Sequence, residues 1–257
     1  MGNLKMWKNI RVACLLVVLL IVAVNAYRDQ NQNWNQPINI LLHPINADGL
    51  ASTQQYIQQL QSADFADVKQ YLEENSRQYR GQSSYFMIQI GRELHTVPPR
   101  MSEQPSILKN ILWSLKFRYY AWKQHQSIDG SPSLTLYLNY YDPKQTRELK
   151  HSTALERGRI GSVNLFASQK QVEQNNVVLV HELLHGFGAT DKYNLNTGEP
   201  IFPIGYAQAD KQPLYPQTEA EIMGGRIPLS AQKSKMPQNL EQTVISVITA
   251  QEVGWIK

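Results

Sequence analysis

Cysteine is nearly missing from this chain: there is one, Cys14, inside an apolar N-terminal run. No intrachain disulfide can form, and no thiolate zinc knuckle is available. Acid is missing from residues 1–26, which hold Lys5, Lys8 and Arg11. Those three belong to 25 basic residues against 21 acidic ones in the whole chain, so residues 27–257 hold 22 basic and 21 acidic. The high pI therefore belongs to the N-terminus. No basic stripe interleaved with aromatics is present, which argues against a nucleic-acid partner. Histidine is also scarce, at six residues. Internal repeats and long low-complexity tracts are absent. What remains is an ordinary globular composition, 42% hydrophobic and 18% charged, long enough for a core that needs no disulfide.

The unbroken apolar run is Val12–Val24, "VACLLVVLLIVAV". Thirteen residues of helix reach about 20 Å, against a hydrocarbon core of about 30 Å. Three basic residues before the run and small residues at Val24-Asn25-Ala26 suit a signal peptide cleaved after Ala26. Ile10, Ala26 and Tyr27 could instead lengthen it into an uncleaved signal anchor, with Arg11 snorkelling. Both readings send the rest of the chain to the extracytoplasmic face, because the positive flank stays inside. The polar "YRDQNQNWNQP" that follows reads as a linker, residues 27–37.

Beyond it, strands and helices alternate. Strands are predicted at Ile38–Ile45, around Phe86–Ile90, over "SLTLYLNYY" and over "RIGSVNLFAS". Helices are predicted over residues 63–79 and over 106–125, where Ile107, Ile111, Leu112, Leu115 and Tyr119 repeat at helical spacing after a Ser106 cap. Six of thirteen prolines fall between Pro200 and Pro237, so that region is loop and turn. "LEQTVISVITAQEVGW" predicts a closing helix. The order implies an α/β or α+β layer with a smaller, loop-rich C-terminal part.

The chemistry concentrates in "VVLVHELLHGFGATDKY". His181 and His185, one helical turn apart, would present two imidazoles to one metal ion. Glu182 beside the first could act as general base toward a metal-activated water. A pair of core histidines bonded to backbone or carboxylate is the bland alternative. Gly188 stands where a helix would end in a left-handed turn, and three residues on, the returning chain could bring Asp191 to the metal. A competing scheme takes the third ligand from a downstream glutamate, with Glu199, Glu219 and Glu221 available. Glu199 lies in a Gly-Pro turn, and Glu219 and Glu221 are confined between Pro216 and two glycines. His43, His95, His125 and His151 show no ligand spacing.

His181, Glu182, His185, Gly188 and Asp191 resemble the long zinc motif of the metzincin metallopeptidases. Aspartate in place of the usual third histidine resembles the snapalysin-type small neutral proteases. The stretch "PLYPQTEAEIMGGRIPLS" offers Met223 for the methionine turn that metzincins place beneath the metal; ordinary core packing is the alternative. Together the two stretches are also similar to a group of membrane-anchored bacterial proteins. The resemblance covers residues 177–230.

It implies an α+β, zincin-like twisted sheet over the active-site helix across residues 38–257. It also implies a Zn2+ cofactor and an extracytoplasmic endopeptidase acting on peptide or protein substrates. An edge strand would bind the substrate, for which Gly161–Ser168 is the candidate. Some relatives add a tyrosine to steady the oxyanion, and Tyr193, Tyr206 and Tyr215 all remain open for it. Arg226 is a further candidate stabiliser, though a solvated surface arginine is the commoner case. A zinc-binding envelope protein without turnover stands beside the protease reading.

Overall fold

The computed structural model describes residues 2–30, 32–101, 106–126, 132–150, 152–154 and 159–256. His151 therefore lies outside the described residues. The elements run α1 (Gly2–Gln30), β1 (Ile38–Asn46), α2 (Ala51–Gln59), α3 (Ala66–Arg80), β2 (Phe86–Ile90), α4 (Ile107–Lys123) and β3 (Leu134–Tyr141). They continue with β4 (Thr153–Ala154), β5 (Ile160–Phe166), α5 (Val172–Phe187), β6 (Ala220–Glu221), β7 (Ile227–Ser230), β8 (Lys233–Lys235), β9 (Thr243–Val244) and α6 (Val247–Glu252). Among the described residues, no helix is long and apolar enough to cross a membrane.

The architecture is mixed α/β. A five-stranded sheet has the order β2-β1-β3-β5-β4. Its first four strands are parallel, and β4 runs antiparallel to β5 at one edge. Gly161–Ser168 is covered only at its start: Thr153 and Ala154 pair with Ser162 and Gly161, and among the described residues no strand pairs with the rest of it on that side. In "SLTLYLNYY" the leucines share one face, yet Leu136 and Tyr137, on opposite faces, are both buried. A parallel sheet is covered on both sides, so period two does not separate inside from outside here.

The larger core joins Ile40, Leu42, Leu136 and Leu138 to Val68 and Leu72 of α3 and to Val180, Leu183 and Leu184 of α5. On the other face, Ile45 and Tyr137 pack with Trp113 and Phe117 of α4. The helix α4 forms where its periodicity predicted, with Ser106 accepting from Lys109 N. Its apolar stripe faces the other way from a core stripe: Ile107, Leu108, Leu112 and Leu115 are exposed. Trp34, within the 27–37 stretch, is buried; its ring nitrogen donates to Val253 O at 3.0 Å and its ring packs on Phe187 and Trp255.

The C-terminal stretch departs from its predicted single helix. It forms a 3-10 turn, Leu240–Gln242, then β9, and only six residues of α6. Thr243 and Val244 pair with Ala220 and Glu221, and Ile222 N donates to Val244 O. β-Branched residues suit that pairing. Ser246 then caps the short helix by accepting from Thr249 N.

Candidate metal centre

The helix α5 is buried along most of its length, and its last two turns carry the two histidines, His185 in the final one. It ends at Gly188, whose φ of +110° lies in the region L side chains avoid. Gly188 N and Ala189 N bond back to His185 O and Leu184 O. The reversal brings Asp191 against the face of the helix it has just left.

Three atoms converge there. His181 Nε2 lies 3.0 Å from His185 Nε2, and Asp191 Oδ1 lies 3.2 Å from the first and 3.0 Å from the second. Each Nδ1 is engaged elsewhere: His181 Nδ1 donates to Ile222 O at 2.9 Å, and His185 Nδ1 donates to Ala189 O at 2.8 Å. A carbonyl only accepts, so both Nδ1 atoms carry hydrogen, and each Nε2, when it carries no proton, turns a lone pair inward. Two lone pairs and a carboxylate oxygen then face one another. Shared protons or a cation must offset their repulsion.

The donor set fits a metal ion. Three ligands at about 2.0–2.1 Å in tetrahedral array stand about 3.3 Å apart, close to the observed triangle. The side chains of His185, His181 and Asp191 are 9%, 13% and 29% exposed, so the triangle is sheltered by the helix and opens toward solvent at the aspartate. The same three residues form the potential metal-holding cluster found among the described residues. Burial opposes ionisation of Asp191, but with protons on the histidine Nε2 atoms, hydrogen bonds and charge interactions with both rings outweigh it and hold the carboxyl well below the usual range.

Met223 is fully buried in a tight turn beneath the helix. Gly224 N and Gly225 N bond back to Glu221 O, and a Cβ on Gly224 would meet Gly205 O at 2.4 Å, so only glycine fits that approach. The turn touches the site twice. Ile222 O orients His181, and Met223 O accepts from Lys192 N, next to Asp191.

Glu221 is no ligand. It is fully buried, and Oε2 accepts from Met223 N and Gly224 N while Oε1 accepts from Ser246 N, Ser246 Oγ and Thr249 Oγ1. It ties the turn to the start of α6. Glu219 Oε2 accepts from Gln208 Nε2 at 3.3 Å. Glu199 lies in a turn, its carbonyl accepting from Asn194 N.

Of the tyrosines, Tyr193 is at the site, its ring centre 6.2 Å from that of His181. Burial first, then the charges of Asp191 and Glu182, push its phenol well above the usual range. Tyr206 and Tyr215 instead pair with each other, hydroxyl to hydroxyl at 2.9 Å. Glu182 itself is buried. Arg226 is exposed, beside Gly198.

Two residues without any sequence signal support the site. The buried Lys192 places Nζ 2.7 Å from Glu252 Oε2 in α6. Glu252 also accepts from Thr190 N and Thr190 Oγ1. A partner sixty positions away cannot be read from spacing. The chain matches no protein-family model, and no curated protein matches it.

Proposed function

We propose that this chain is an extracytoplasmic zinc-dependent endopeptidase with a metzincin-type site on a zincin-like sheet. One observation carries the reading: three acceptor atoms converge from an α-helix and the loop that returns to it, while both imidazole Nδ1 atoms are committed to carbonyls. His181, His185 and Asp191 would hold the ion. Two imidazoles and one carboxylate suit zinc and leave a position open for chemistry. The bound ion would supply Lewis acidity, polarising a carbonyl and making water available as nucleophile at neutral pH.

The chain's own residues supply the rest. Glu182 accepts a proton from water as the water oxygen attacks the peptide carbonyl carbon. It returns that proton to the nitrogen as the C–N bond breaks. Tyr193 keeps its proton at neutral pH, so its hydroxyl can donate to the oxygen on which charge develops. An extended substrate would add alongside β4, the antiparallel edge of the sheet. The N-terminal apolar segment would carry the domain across the membrane, as anchor or as cleaved signal peptide.

Zinc stoichiometry and cleavage profiling against a peptide library test this reading together. One equivalent of zinc with Glu182-dependent cleavage supports it. Zinc without cleavage makes the chain a binding protein, and no zinc ends the reading.

A further inference from the structure

On α4, Ile107 is 81% exposed and Trp122 is 73% exposed. Between them Leu108, Ile111, Leu112 and Leu115 are also exposed. At about 100° per residue all six, with Tyr119, fall within an arc of about 140°. Trp113 and Phe117, which hold the helix to the sheet, lie on the opposite side. The helix thus has two apolar faces, one packed and one facing out. A contiguous stripe of exposed large apolar side chains marks a contact site.

Charge says what the contact is. The helix contains Lys109, Lys116, Arg118 and Lys123 and no acidic residue. All four are exposed. Three of them, the lysines, flank one border of the outward stripe, and Arg118 lies just inside the other. Basic residues bordering an apolar stripe that ends in Tyr119 and Trp122 match a helix lying in a lipid headgroup region. A second copy of this chain is a poor occupant, since four bases would meet four bases with no acid between them.

Position agrees. Gln32, just past α1, accepts from Arg159 Nη1 at 2.5 Å. Arg159 and Trp122 line one cavity of about 290 Å³. The N-terminal apolar segment therefore leaves the folded part near the C-terminal end of α4. We propose that the outward face of α4 lies on an anionic bilayer surface, with its apolar stripe in the headgroup layer and its flanking bases against lipid phosphates. This inference does not rest on metal binding or hydrolysis, and its test reads neither.

The test uses the full chain in a Cys14→Ser background. An environment-sensitive fluorophore is attached through Leu112→Cys, or through Gln78→Cys on α3 as control. The protein is reconstituted in vesicles of phosphatidylcholine, alone or mixed with phosphatidylglycerol, that carry a nitroxide lipid. The expected result is quenching at position 112, severalfold beyond position 78, in the anionic vesicles. Reversing Lys109, Lys116 and Lys123 to glutamate should abolish it, since each base near an anionic surface is worth about fivefold in affinity. A position 112 fluorophore that stays in water overturns the proposal. So does equal quenching in neutral and anionic vesicles. Lipid-independent burial that grows with protein concentration would mean a second copy covers the face, and would overturn it too.

Discussion

Lys192 Nζ sits 2.7 Å from Glu252 Oε2, and the lysine is almost wholly buried one residue beyond Asp191. The pair fastens the loop carrying the third proposed ligand to α6. Removing one member of a buried pair leaves the other charge without compensation, at a cost of about 3–5 kcal/mol. Glu252→Ala should therefore lower stability in denaturant titration by about 3 kcal/mol and weaken metal retention. Unchanged stability would show that the loop holds its shape without α6.

The same pair sets a pH dependence. Burial opposes ionisation of Glu252, but hydrogen bonds from Lys192 and Thr190 outweigh it and depress its carboxyl. A depressed carboxyl contributes stability that is present above its unfolded pKa of about 4.3 and is lost as pH falls through the folded value. Urea unfolding of the metal-free protein should show stability dropping from about pH 5 downward. The slope should be shallower in Glu252→Gln. Equal slopes in both proteins would contradict this role.

Glu182→Gln keeps size and hydrogen-bonding capacity but removes the base. Metal content after dialysis should match the parent, because Glu182 is not among the converging atoms. Peptide cleavage should fall about a hundredfold or more. Cleavage near the parent rate would dismiss Glu182 as the base.

The third ligand can be tested by comparing carboxylates. Asp191→Ala should lose the metal, and Asp191→His should retain some. Glu219→Ala should keep a full equivalent, since its carboxylate meets Gln208 and not the histidines. Glu221→Ala should fail differently, through folding. It strips the partner from Met223 N, Gly224 N and the α6 cap, and stranding buried donors costs about 1–3 kcal/mol each. Thermal unfolding separates the two effects. A stable Glu221→Ala protein lacking metal would return Glu221 to the ligand set.

Gly188→Ala should cost about 1–2 kcal/mol, because φ is +110° there. It should also reduce metal affinity by displacing Asp191, while helical circular dichroism stays near the parent. Parent-like metal affinity would show that the reversal tolerates a Cβ.

Much of this was legible in local pattern. The spacing of His181 and His185 and the glycine at 188 are short-range signals, and helix geometry turns them into positions. The strands β1, β3 and β5 announced themselves by apolar runs and β-branched residues. Met223 followed by two glycines marked a tight turn.

Other features needed the third dimension. The periodicity of α4 predicted a helix but not which face is buried, because both of its faces are apolar and only the sheet selects Trp113 and Phe117. The closing helix was broken by a strand pairing with Ala220 and Glu221, more than twenty residues away. Tyr193 was separated from Tyr206 and Tyr215 only when the Gly188 reversal placed it against His181. Glu221 and Glu252 look alike in sequence as ordinary acids. One closes a buried turn and the other neutralises a buried lysine, because hydrogen-bond partners are set by which distant segments the core brings together. Sequence by itself determined the helix, the spacing of its two histidines and the turn. Tertiary packing alone decided what faces them, since burial and partner choice belong to pairs of segments and not to any one of them.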